Sequence, residues 1–191
     1  MTKPGFNLVA MTLPEALQQI EKLFADVPPS ALKAIPMLGC CDMHAEDFEW
    51  YREHEWKDLR KELRDSGGDH RKAGDPFQFG SLDPVAFHYF LPGVLTGIAD
   101  LAIAQPRSED EFDYATLNVC FNWLQNVTPI QSCRDRFIAE QLPLFNEKER
   151  WAIRNFLSIF ASYLEESPSV DKEDICGTLE NIDEALREVW K

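Results

Sequence analysis

The chain has 191 residues, of which 45% are hydrophobic and 27% are charged, and its 33 acidic and 19 basic side chains give a formal net charge of −14. A chain of this length can bury about 70% of its unfolded surface in one domain without disulfides or a structural metal. The acidic balance repels phosphate backbones and anionic lipid headgroups, so it disfavours nucleic-acid binding and membrane-surface binding. The same field would steer a basic protein partner toward the chain.

The cysteines form an odd set without a C-x-x-C pair, and no signal-peptide pattern precedes them: Cys40, Cys41, Cys120, Cys133 and Cys176. This usage is typical of reduced thiols inside a cell. Cys120 lies between two apolar residues in a helical pattern, where a thiol usually serves as a small core hydrophobe. The sequence therefore predicts a cytoplasmic protein with free thiols.

Capping signals and helical periodicity predict two helices in the first part of the chain. The sequence "TLPE", from Thr12 to Glu15, is a capping box with proline in the first turn, and it opens a helix that ends at Pro28. The apolar face of this helix consists of Leu17, Ile20, Leu23, Phe24 and Val27. A second, more polar helix is predicted over residues 45–64, with Trp56 on its apolar side, and it ends at the "SGG" of residues 66–68.

Later segments repeat the pattern of a cap followed by an apolar helical face. The sequences "SEDE" at 108–111 and "NEKE" at 146–149 are capping boxes that open two helices, and Asp171 begins the last helix. A short helix is predicted in "CRDRFIAEQL", before Pro143. Sustained period-2 alternation is lacking, and neither a fixed repeat nor a long linker divides the sequence. We therefore predict an all-α fold in which residues 1–191 form a single domain, a bundle of about five to seven helices.

The centre of the bundle is predicted to be an apolar helix over residues 84–104, with Asp83 as its N-cap and Pro84 at its first position. One face consists of Phe87, Leu91, Val94, Ile98 and Leu101, while Tyr89, Thr96 and Asp100 lie opposite. The apolar face keeps its phase across Pro92, so we expect a single helix. The proline ring removes one N–H and crowds the carbonyl of His88, so we expect the helix to bend there.

A membrane span is the alternative interpretation of this stretch, because it is long and apolar and because Gly93 and Gly97 form G-x-x-x-G. Within it, however, Asp100 would cost a few kcal/mol in hydrocarbon, and no Lys or Arg cluster flanks either end. We therefore expect a soluble protein. In that setting Ala86, Gly93 and Gly97 form a small-residue flank that lets a neighbouring helix approach closely.

The run "AFHYFLPGVL" at residues 86–95, preceded by "LDP" and about thirty residues after Trp56, resembles a bacterial family of small proteins of unknown function. That family is marked by an aromatic-aromatic-Leu-Pro helix, commonly with alanine after the proline, and Gly93 departs from it. The stretch "LFNEKERWAIRNFLSIF" is similar to the C-terminal helix of the family, which has glutamine near the position of Lys148 or Glu149. The resemblance covers about half of the chain, and it implies no established activity or cofactor.

The densest group of potential metal ligands is "CCDMHAEDFEWYREHE", at residues 40–55. It lacks H-E-x-x-H, E-x-x-H and every zinc spacing, and His44 and His54 are too far apart to share adjacent turns of one helix face. A solvated, charged surface is therefore the favoured interpretation, and no metal or cofactor is predicted. The sequence also lacks the nucleophile motifs G-x-S-x-G and S-x-x-K and the nucleotide motifs P-loop and G-x-G-x-x-G, so no catalytic residue is assigned.

Two functional hypotheses remain. The first is a non-enzymatic protein that binds another protein, plausibly a basic one, because the chain is acidic and lacks catalytic motifs. The second is a small-molecule enzyme or sensor with a pocket beside Pro92, using His88 and Tyr89. A lone histidine is more often a hydrogen-bonded core residue than a general base, and aromatic side chains are more often core than ligand cage. This weighing includes Trp50, Trp56, Trp123, Trp151 and Trp190.

Overall fold

The computed structural model describes residues 11–25, 49–65, 79–104, 114–129, 131–166 and 172–191, and within these ranges it contains helices and no strand. The α-helices are α1 Leu13–Phe24, α2 Glu49–Glu53, α3 Trp56–Asp65, α4 Pro84–Ala104, α5 Tyr114–Leu124, α6 Gln131–Arg136, α7 Glu147–Glu166 and α8 Lys172–Glu188. A π-helical turn, Phe137–Gln141, and a 3-10 turn, Leu142–Leu144, follow α6. The predicted all-α bundle is confirmed, whereas the capping box predicted at 108–111 lies outside the described residues.

The helix predicted over residues 45–64 is divided, within its described part, into α2 and α3, so the prediction of one helix is wrong there. The break lies at His54 and Glu55, and the Glu55 backbone N–H donates to the Asp58 carboxylate at 2.8 Å, which caps α3. Tyr51 and Trp56 are both buried on the core side of the break. In one straight helix these two side chains would point about 140° apart, so the break lets both reach the core.

Helix α4 is the centre of the bundle, and fifteen of its 21 residues are buried. It contacts α1, α3 and α5, while α1 also packs on α7 and α7 packs on α8. Tyr89 and Thr96, which lie on the side opposite Phe87 and Leu91, are buried as well, with exposed fractions of 3% and 0%. The helix is buried nearly all round because separate neighbours cover its different sides.

Glycine in α4 allows α3 to approach closely, as the sequence predicted for Gly93 and Gly97. A Cβ added to Gly93 would lie 2.3 Å from the backbone oxygen of Trp56, and one added to Gly97 would lie 2.7 Å from Leu63 Cδ1. Both distances are far below van der Waals contact. The two glycines therefore form the floor of the α3–α4 interface.

Helix α4 is continuous through Pro92, which confirms that residues 84–104 form one element. One turn later the Thr96 hydroxyl donates to the Pro92 carbonyl at 2.6 Å. Such a bond from a side chain to the carbonyl four residues back is itself associated with bent helices. The bend at Pro92 stays a prediction, and Thr96 adds a second reason to expect it.

Among the described residues, α4 is the one helix long and apolar enough to cross a membrane by length and composition. Of its most apolar 18-residue window, 83% is buried inside the protein. A core helix of a soluble protein has this property, because its apolar side chains contact other helices rather than lipid.

Substitution of the interface glycine tests the close approach of α3. Gly93→Ala should lower the free energy of unfolding by about 1–3 kcal/mol, because its Cβ overlaps backbone that cannot rotate away. Gly177→Ala is the matched control: its Cβ would meet nothing within 4 Å. In the middle of α8 this control should gain about 0.5–1 kcal/mol from helix propensity. Urea unfolding measures both; a Gly93→Ala protein as stable as the parent would contradict the interface.

Candidate functional site

His88 is the first residue that the sequence suggested for a site. It lies on α4 and faces α1 and the start of α7. Its Nε2 is 3.2 Å from a carboxylate oxygen of Glu149. Its ring centroid is 5.5 Å from that of Phe24 and 4.7 Å from that of Phe145. His88 thus has one polar partner and two aromatic neighbours. This is the environment expected of a hydrogen-bonded core histidine.

Glu149 holds this histidine while it also caps α7. The carboxylate is buried, at 5% exposure, and accepts a hydrogen bond from the Asn146 backbone N–H at 2.9 Å. In return the Asn146 side-chain oxygen accepts from the backbone N–H groups of Lys148 and Glu149, at 2.9 and 3.0 Å. The "NEKE" capping box is therefore confirmed, and the same oxygen of Glu149 serves both the cap and His88.

A partly buried histidine held by a carboxylate, as His88 is, is the orienting half of a general-base site. Such a site also needs a reacting group or an open position beside the second ring nitrogen. The contacts that the described structure records around the His88 ring are the two phenylalanines and Glu149. Within the described residues this arrangement joins α4 to α7.

Tyr89 faces a different neighbour. It is buried, and its hydroxyl lies near the backbone of Trp56, at the first position of α3. Burial raises the pKa of Tyr89, and the negative charge of Glu55 adds to this. His88 thus points toward α7, Tyr89 toward α3, and Pro92 is buried within α4. The three residues considered together in the sequence contact different parts of the bundle.

The sequence missed an ionic cluster that joins α1, α3 and α4. Arg60 donates two hydrogen bonds to Asp100, at 2.6 and 3.1 Å, and a further one to Glu21. The hydrogen bonds that Arg60 donates to Asp100 raise the pKa of Arg60, as expected for a bidentate pair. Asp100 stands out in the sequence as a charge on an apolar helix. Its partner, Arg60, lies forty residues earlier, and helical periodicity says nothing about contacts at that separation.

An open surface concavity with a volume of about 310 Å³ lies between α1 and the first turns of α7, lined by Gln19, Leu23, Glu147, Lys148 and Trp151. We call it the α1–α7 concavity. Trp151 is 44% exposed at the seam between α1 and α7, whereas Trp56, Trp123 and Trp190 are buried in the core. His88 lies behind the concavity, on the core side of the same two helices. It contacts Phe24, which follows Leu23 in sequence, and Glu149, which follows Lys148.

The thiols and possible metal ligands add no second site within the described residues. Residues 40–48 of the acidic and cysteine-containing cluster lie outside them, and the rest of the described chain holds no group of three or more His, Cys, Asp or Glu side chains placed for a metal. Cys120 is fully buried, and burial raises the pKa of its thiol to about 12. Because the thiolate is the reactive form, Cys120 is an inert core residue, as predicted.

Comparison with protein-family models, with curated proteins and with solved structures finds no match to this chain. The resemblance of residues 86–95 to a bacterial family therefore stays a prediction.

Truncation of the buried carboxylate tests its double role. Glu149→Ala should lower the free energy of unfolding by about 1–3 kcal/mol, because it leaves the Asn146 N–H and His88 without their partner. Glu147→Ala, in the same first turn but exposed, removes the same charge and should stay within about 0.5 kcal/mol of the parent. Thermal or urea unfolding measures both; equal losses in the two variants would mean that only the helix dipole is involved.

Proposed function

We propose that this protein works by binding a basic protein partner, that it has no catalytic activity of its own, and that it is a soluble protein of the cytoplasm. The observation that carries the proposal is the distribution of charge over the described surface. Fifteen acidic side chains in the described residues are exposed, against ten basic ones. The surplus of negative charge is thus on the outside, where it acts on an approaching partner.

Part of the reason for this surplus is that several arginines serve the fold. Arg150 donates to the backbone carbonyls of Leu142 and Phe145, both at 2.9 Å. Arg60 is held by the carboxylates of Asp100 and Glu21, and the partly buried Arg134 pairs with Glu184 at 2.8 Å. Because Arg150 is held by backbone carbonyls and Arg60 by the partly buried Asp100, these two cations are poorly placed to neutralise other exposed carboxylates.

Exposed ion pairs do not remove the surplus either. On α8, Asp183 pairs with Arg187 at 3.1 Å, and both side chains are 67% exposed. A pair of this kind is worth little to stability, at most about 1 kcal/mol, so a partner's cation can compete for the carboxylate. Acidic side chains on α8 such as Glu180 and Glu188 extend the same surface. Charge complementarity of this kind mainly raises the association rate and sets which partners bind.

The alternative function, a small-molecule enzyme or sensor with a pocket beside Pro92, has weaker support. Tyr89 and Pro92 are buried, and the α1–α7 concavity is lined by other residues. The hydrogen bond between His88 and Glu149 is explained by the contact it makes between α4 and α7.

Affinity capture tests the proposed function. The full-length protein is immobilised and exposed to a lysate of the organism that encodes it, next to an unrelated acidic protein of equal charge and size. We expect at least one basic protein to be enriched on this chain alone and to elute between low and physiological salt, because charge-driven binding is screened over about 8–10 Å. The purified partner should then bind with a salt-dependent Kd. Capture of the same proteins by both columns, or salt-independent binding, would contradict the proposal.

Pro92→Ala separates the two hypotheses. If Pro92 only shapes the core helix, the substitution changes the free energy of unfolding and leaves the Kd for the captured partner unchanged. Loss of a ligand or partner at unchanged stability would instead favour the alternative, with His88 and Tyr89 as site residues. The paired measurements are urea unfolding and titration calorimetry on the same protein.

A further inference from the structure

We infer that the α1–α7 concavity receives an arginine or lysine side chain of the basic partner. This inference rests on the proposed function and adds to it the place where a cation docks. Within the described surface the α1–α7 concavity brings together an aromatic ring exposed to solvent, a carboxylate and an apolar wall.

Trp151 supplies the aromatic face. The other tryptophans that the structure describes are buried or half-buried, whereas Trp151 is 44% exposed at the edge of the concavity. The face of an indole ring is the best cation acceptor among side chains, and exposed cation–π contacts are worth about 0.5–1 kcal/mol. Tryptophan is also among the residues that most often dominate the energy of protein interfaces. Trp151 is therefore the anchor for the partner's cation.

Glu147 supplies the negative charge. It precedes Trp151 by four residues on α7, so the carboxylate and the ring lie on the same side of the helix one turn apart. Both line the concavity. Glu147 is exposed and has no ion pair in the described part of the chain. A guanidinium or ammonium over the ring can thus be met by a carboxylate that no internal cation occupies.

Leu23 supplies the apolar wall, and the size of the concavity limits the occupant. Arginine and lysine have apolar stems that pack on such a wall while the charged head reaches a polar group. A volume of about 310 Å³ is at the lower end of the range for small-molecule pockets, about 300–1,000 Å³. One or two long side chains fit this space better than a folded peptide or a large ligand.

Lys148 also lines the concavity, and its charge opposes a cationic occupant. Its flexible four-carbon stem allows the ammonium to turn to solvent. The neighbouring positions 147 and 148 therefore carry opposite charges at one site. Neutralising each of them should move the affinity for a cation in opposite directions, a signature that a merely structural role would not produce.

The experiment uses the full-length chain and a fluorescein-labelled peptide of alternating arginine and glycine. The control probe replaces each arginine with citrulline, which keeps the shape and removes the charge. Binding is followed by fluorescence anisotropy at low and physiological salt. The variants are Trp151→Ala, Trp151→Phe, Glu147→Gln and Lys148→Gln. Glu166→Gln serves as the matched control, with the same charge change at the far end of the same helix.

We expect Trp151→Ala to weaken binding of the arginine peptide about two- to fivefold and Trp151→Phe to weaken it less. Glu147→Gln should weaken binding by up to about fivefold and Lys148→Gln should strengthen it, while Glu166→Gln changes it much less. In the protein without substitutions, the indole N–H signal of Trp151, assigned from its loss in Trp151→Phe, should shift on peptide addition. The signals of the buried Trp123 and Trp190 should stay in place.

Two results would overturn the inference. If the citrulline peptide binds as tightly as the arginine peptide, the occupant of the concavity is not a cation. If the arginine peptide binds with salt dependence but Glu147→Gln and Glu166→Gln weaken binding equally and the Trp151 signal does not move, binding is spread over the acidic surface. In that second case the concavity is not the docking point, while the proposed function stands.

Discussion

The fold depends on the contact in which the start of α3 lies directly on the glycines of α4. The carbonyl of Trp56 occupies the space that a side chain at Gly93 would need. Trp56, Arg60 and Leu63 follow each other at helical spacing along one face of α3. Once Trp56 is seated, Arg60 therefore reaches Asp100 and Leu63 covers Gly97. This one contact covers the side of α4 that carries Tyr89 and Asp100, and together with the contacts of α1 and α5 it leaves fifteen of the 21 residues of the helix buried.

Local chemistry explains why much of the fold could be predicted. A capping box requires four consecutive residues, and both described examples, at Thr12 and Asn146, form as the sequence indicated. The small-residue flank of α4 is also a local pattern, and it correctly predicted that another helix, α3, packs closely against α4. Such signals need no knowledge of the rest of the chain, because every atom involved lies within a few turns of helix.

The parts that could not be predicted depend on distant residues. The break between α2 and α3 follows from the need to bury Tyr51 and Trp56 on one core, and the partner of Asp100 lies on another helix. For the candidate site, His88 could be recognised as a core histidine, but its partner Glu149 is 61 positions away. At 100° per residue Trp151 lies about 140° from Phe156 and 180° from Phe160 around α7, so helical periodicity could have placed it outside the apolar face. The concavity beside it depends on how α1 and α7 meet, which the sequence does not reveal.

The cluster of Arg60, Asp100 and Glu21 has a consequence for the behaviour of the protein on heating. The cost of removing charged groups from water falls as temperature rises, whereas the gain from apolar burial levels off. A shared cation between two carboxylates thus becomes relatively more favourable in hot solution. The junction of α1, α3 and α4 should therefore keep its order to higher temperature than the helix contacts made by apolar side chains alone.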